Sequence, residues 1–60
     1  NHPDYALCHM NLGNAYGYKG QKHKAIQYYE LALSIFEKSV GKNHPYYQSC
    51  LKNLNKTIKE

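Results

Sequence analysis

Residues 1–12, NHPDYALCHMNL, return in altered form as residues 43–54, NHPYYQSCLKNL. The matched positions are Asn1/Asn43, His2/His44, Pro3/Pro45, Tyr5/Tyr47, Cys8/Cys50, Asn11/Asn53 and Leu12/Leu54. The prolines set the period at 45 − 3 = 42 residues. A fixed period of this size marks a repeat architecture, in which each unit is one supersecondary element that cannot bury its apolar face alone. Such a chain acts through a surface made by stacking rather than through a private pocket. The 60 residues hold one full period and part of a second.

A chain of this length is one domain at most, and it buries only about 60% of its unfolded surface. Small folds usually recruit disulfides, metals or oligomerisation. Two cysteines make at most one disulfide, which is sparse for a secreted miniprotein. Free thiols in a reducing, cytoplasmic compartment are the expectation. No apolar run is long enough to span a bilayer, so no membrane role is expected. Residue 1 is Asn and no signal peptide is visible, so the chain reads as a piece of a longer protein. The net charge of +4 comes from eight basic residues against four acids, and every basic residue is lysine. Arginine dominates bidentate phosphate and base recognition. A lysine surplus instead implies diffuse attraction to acidic partners, or solubility.

Helical signals run through the whole chain. Pro3 suits the first turn of a helix, with Asn1 or His2 at its cap and Asp4 at the positive end of the dipole. Tyr5, Cys8, Leu12, Ala15 and Tyr16 follow at helical spacing. Gly20 and Lys19 suit its end. The first helix is expected over about 3–19. Ile26, Tyr29, Leu33, Phe36 and Val40 form an apolar stripe at steps of three and four, predicting a second helix over about 22–40. Its start is poorly marked, because Lys22, His23 and Lys24 place cations at the positive end of the dipole. Gly41 stops it. Pro45 opens a third helix with Tyr47, Leu51, Leu54 and Ile58 on one face. No segment alternates like a strand. The fold class is all-α, with neighbouring antiparallel hairpins.

His9-x2-Leu12-Gly13-x2-Tyr16, followed by Ala25-x3-Tyr29-x2-Ala32, resembles the tetratricopeptide repeat pattern W-x2-L-G-x2-Y…A-x3-F. His9 departs from the tryptophan of that pattern. In a unit of about 34 residues the closing proline would stand at Glu37; here it is Pro45, eight residues later. The extra residues lie between Ala32 and Pro45 and lengthen the helices there. This 42-residue form is similar to the repeats of kinesin light chains and related scaffolds. The resemblance implies an α-solenoid fragment. Residues 1–42 would be one complete unit, and residues 43–60 the first helix of the next repeat or a C-terminal capping helix. It also implies a concave groove, lined by the first helix of each unit, that takes extended protein or peptide segments. Leu12, Tyr16 and Tyr29 would fill the helix interface, and Gly13, Ala25 and Ala32 would let the helices approach.

On this reading the groove candidates are Leu7, Met10, Asn11, Asn14 and Gly17 or Tyr18, then Ser49, Lys52, Asn53 and Lys56. Asn11 and Asn53 are one period apart and would stand side by side. Asparagine carries both a donor and an acceptor, so a row of them can hold a peptide backbone without reading its sequence. Lys52 and Lys56 add attraction for acidic groups. Cys8 and Cys50 are expected as small buried thiols on the packing side. Neighbouring first helices sit about 8–10 Å apart, beyond disulfide reach. With no CxxC or HxxxH spacing, no metal is expected. Lys19, Lys22, His23 and Lys24 read as a solvated corner.

No nucleophile–base pair, paired carboxylates or glycine-rich phosphate loop is present, so the chain is not expected to be an enzyme or to bind a cofactor. Protein–protein interaction leads, by stacking with further repeats into a scaffold that presents the groove. The unfinished second repeat adds an expectation of self-association, as a homo-oligomer or by exchange of a helix through a straightened Gly41–Asn43 loop. The rival class is a basic helical module for nucleic acid or acidic surfaces.

Overall fold

Each Asn-His-Pro run starts a helix by the same device. The Nδ1 atom of His2 accepts from the backbone N–H of Asp4 at 3.2 Å. That of His44 accepts from the N–H of Tyr46 at 3.1 Å. The histidine carbonyls take the first helical bonds, His2 from Tyr5 and His44 from Gln48. The ring nitrogen thus does the work of a Ser or Asp cap on donors that no helical carbonyl can reach. The proline that follows in each run has no N–H needing such a partner.

The computed structural model describes residues 2–59, and these form three helices: α1 (Pro3–Tyr18), α2 (Lys22–Ser39) and α3 (Pro45–Lys59). Asn1, a candidate cap, and Glu60 lie outside the described residues. Both turns close through a glycine in the left-handed region. Gly20 has φ +79° and Gly41 φ +89°. The N–H of Gln21 returns to Tyr16 O, and that of Gly41 to Phe36 O, so one carbonyl in the last turn of each helix is satisfied from beyond its end. Gln21 caps α2 without a side-chain hydrogen bond, and no acid stands in its first turn. The weak start expected from the sequence is present.

The helices run as antiparallel neighbours. Lys24 meets Tyr16 while Tyr28 meets His9. Tyr29 meets Cys50 while Phe36 meets Tyr46. The core is Ala6, Ala25, Tyr29, Ala32, Phe36, Cys50 and Leu54. Its small residues set the helix spacing. A Cβ on buried Gly13 would lie 2.8 Å from the Tyr29 ring, so only glycine permits this approach. Phe36 is the largest fully buried side chain, and its removal should cost about 3–5 kcal/mol.

Two expectations about α1 are corrected. Cys8 is exposed, whereas Cys50 is buried. Leu12 was expected in the helix interface but is 43% exposed; its equivalent Leu54 is 7% exposed. Tyr5, of the same stripe, is 66% exposed. The reason is positional. The Tyr47–Cys50–Leu54 face of α3 packs on α2, and no described element packs on the corresponding face of α1. Among the described residues no helix is long and apolar enough to cross a membrane.

Candidate partner-binding groove

The last two turns of α1, the first turn of α2 and the second half of α3 enclose a recess of about 390 Å³. Asn14 lines it. It follows Gly13, whose backbone lies close against the Tyr29 ring, and it reaches both neighbouring helices. Its Oδ1 accepts from the Tyr29 hydroxyl of α2. It also accepts from Asn53 Nδ2 of α3 at 3.5 Å. One carboxamide oxygen therefore ties three helices together. The described hydrogen bonds leave the Asn14 Nδ2 donor and the Asn53 Oδ1 acceptor uncommitted at the wall of the recess.

Two lysines flank this amide pair, Lys22 from the start of α2 and Lys56 from α3. Among the described residues no acidic side chain lines the recess, and their charge there is positive. Thr57, four residues after Asn53, shares its helix face and donates to the Asn53 carbonyl at 2.9 Å. Gly17 forms the α1 edge, and a Cβ there would meet nothing within 4 Å. Tyr18 stands beside it, 91% exposed. The arrangement offers an amide donor and acceptor for an extended backbone and two cations for acidic groups. Among the described residues no three His, Cys, Asp or Glu side chains are grouped to hold a metal.

Of the residues singled out from the sequence, Asn14, Tyr18, Asn53 and Lys56 meet here, together with Gly17. Leu7 and Met10 pack against the core instead. Asn11 is exposed and lies outside the recess, as does Ser49. Lys52 lines a different face of α3. Asn53 meets Asn14, three residues further along α1 than its own equivalent Asn11. Sequence reading missed Lys22, Thr57 and the part played by Tyr29. Lys22 was read as part of a solvated corner, and only the antiparallel α1–α2 hairpin brings it to the groove. Thr57 carried a signal, its i+4 spacing from Asn53.

A separate aromatic ladder occupies another part of the α1–α2 seam. Tyr5, His9, Tyr28 and Tyr16 follow one another at centroid distances of 6.1, 5.9 and 5.4 Å. The Lys24 ammonium lies 5.3 Å from the Tyr16 ring centroid. His9, which departs from the expected tryptophan, is held by Nδ1 against the Tyr5 carbonyl at 2.7 Å. It fills that place with a flat ring that also carries a hydrogen bond.

A family model described as tetratricopeptide repeat matches residues 6–46, more than half of the chain. No curated protein and no solved structure matches it.

Proposed function

Because the chain belongs to the tetratricopeptide repeat family, whose members generally mediate protein–protein interaction, we propose that the α1–α3 groove takes an extended, acidic peptide segment. The observation that carries this reading is the amide pair of Asn14 and Asn53. Each presents one uncommitted polar atom, between Lys22 and Lys56, in a recess whose described lining residues include no acid. Peptide backbone binds such amides without sequence preference, and the lysines bias the choice toward carboxylates. Lysine-only charge without arginine supports a protein partner over nucleic acid.

The test uses Gly17, whose side-chain direction is open. A fluorescent acidic peptide in extended form should bind the chain weakly, with affinity falling as salt rises. Gly17→Leu should block the recess and abolish binding while the helical circular dichroism stays intact. Retained affinity in this variant would place the peptide elsewhere and sink the groove reading.

A second interaction is supported by the two faces related by the period. Tyr47, Cys50 and Leu54 on α3 pack against α2, while Tyr5, Cys8 and Leu12 on α1 are the same residues left open. The α1 helix of one copy therefore carries what α3 offers to α2. It can take the place of α3 on a second copy, giving self-association by helix exchange.

A further inference from the structure

The outer face of α3 is the counterpart of the α1 face that receives α2. Adding the 42-residue period maps Ala6 onto Gln48, Met10 onto Lys52, Gly13 onto Asn55, Asn14 onto Lys56 and Gly17 onto Lys59. On α1, Ala6 is fully buried and Gly13 admits the Tyr29 ring so closely that a single added carbon would collide at 2.8 Å. On α3 those two places hold Gln48 and Asn55. Gln48 is moreover engaged, its Nε2 donating to the Lys42 carbonyl at 2.7 Å. A helix of the α2 kind cannot seat on α3 as α2 seats on α1. This face does not continue the stack.

It is not featureless. Gln48, Leu51, Lys52, Asn55, Lys56 and Lys59 line a shallow depression with a largely apolar floor. Leu51 is half-buried at its base, and half of the lining residues are lysines. Among the described residues no acidic side chain lines it. Lys52 and Lys59 are separated by two turns, about 10 Å along the axis. No aromatic ring is present to stack a base, and no arginine to fork onto a phosphate.

From this charge complementarity we infer that the outer face of α3 is a second docking surface, for a short acidic segment of a protein partner. Carboxylates about 10 Å apart would meet Lys52 and Lys59, with an aliphatic side chain between them resting on Leu51. The outer face of α3 thus carries a second recognition surface that adjoins the groove, the two sharing only Lys56. The inference does not depend on the groove reading, since Asn14, Gly17 and Lys22 take no part in it.

The experiment is a titration of the ¹⁵N-labelled full chain with a synthetic peptide of glutamates around a central leucine, followed by amide chemical shifts. The expected changes centre on Leu51, Lys52, Asn55 and Lys59. Raising salt should weaken binding. Lys52→Glu with Lys59→Glu should lower affinity by about tenfold, the combined effect of two exposed charge contacts, and Leu51→Ser by a few-fold. Shifts confined to Asn14, Gly17 and Lys22 would overturn the inference in favour of the groove. It also fails if the double charge reversal leaves affinity unchanged. Tighter binding of a single-stranded oligonucleotide of equal charge at Leu51 and Lys52 would assign the face to nucleic acid instead.

Discussion

The thiol of Cys50 donates to the backbone carbonyl of Tyr29 at 3.4 Å, inside the seam between α3 and α2. Cys8, one period earlier, has no such seam and lies exposed. One residue type in one repeat position thus has two environments, set only by whether an α2-type helix covers it. Thiol alkylation should read this difference directly, because it needs access and a thiolate. With iodoacetamide at neutral pH, Cys8 should react at least about tenfold faster than Cys50, as followed by peptide mass spectrometry. In denaturant the two rates should converge. Equal rates under native conditions would mean that α3 does not stay on α2.

Burial also gives Cys50 a pH signature. Desolvation raises its pKa from 9.0 to about 11, since the seam disfavours the thiolate. The unfolded chain loses the proton near the ordinary value, whereas the folded chain keeps it. Stability is therefore fully present below about pH 9 and is lost as pH rises toward 11. The loss should be on the order of 1–2 kcal/mol. Chemical denaturation at pH 8 and pH 11 should show it, and Cys50→Ala should have a smaller decline over the same range. The difference between the two proteins is the informative quantity, because it isolates the contribution of Cys50.

Gly13 and Gly17 lie one turn apart on α1 and should respond oppositely to alanine. At Gly13 the new Cβ meets the Tyr29 ring. Relief requires moving a ring held by Asn14, so Gly13→Ala should destabilise by about 1–3 kcal/mol. At Gly17 nothing lies within 4 Å, and removing backbone freedom should stabilise by up to about 0.5–1 kcal/mol. Thermal unfolding of the two variants decides it. Two shifts of the same sign would contradict the packing described for α1 on α2.

The three helices, their glycine stops and the weak start of α2 were legible because proline, glycine and apolar spacing act locally. Burial was legible only for residues whose covering element is present. Leu54 and Cys50 behave as their pattern says, and Leu12 and Cys8 do not, because burial belongs to a pair of helices and not to one. The recess between α1 and α3 was only partly legible. Asn53 and Lys56 follow from the repeat, but the meeting of Asn53 with Asn14 rather than Asn11 is a tertiary contact that no spacing rule encodes. Lys22 reaches the groove only through the tertiary turn. His2 was visible as a cap candidate, although the use of its ring nitrogen, and the same device at His44, needed coordinates.

The open face of α1 makes the last prediction. If α1 of one copy replaces α3 on another, the mass in solution should rise with protein concentration, measurable by analytical ultracentrifugation. Leu12 and Leu54 are equivalent by period but differ in exposure, so they separate association from folding. Leu12→Lys places a charge on a partly exposed site and should change the stability of a single copy by no more than about 0.5 kcal/mol. It should nonetheless hold the protein monomeric, because the exchanged seam would bury the charge. Leu54→Lys should unfold α3 from α2 in every copy and cost several kcal/mol, on the order of a buried unpaired charge. A wild-type chain that stays monomeric at millimolar concentration would remove the exchange reading. An oligomer untouched by Leu12→Lys would show that copies meet through some other surface.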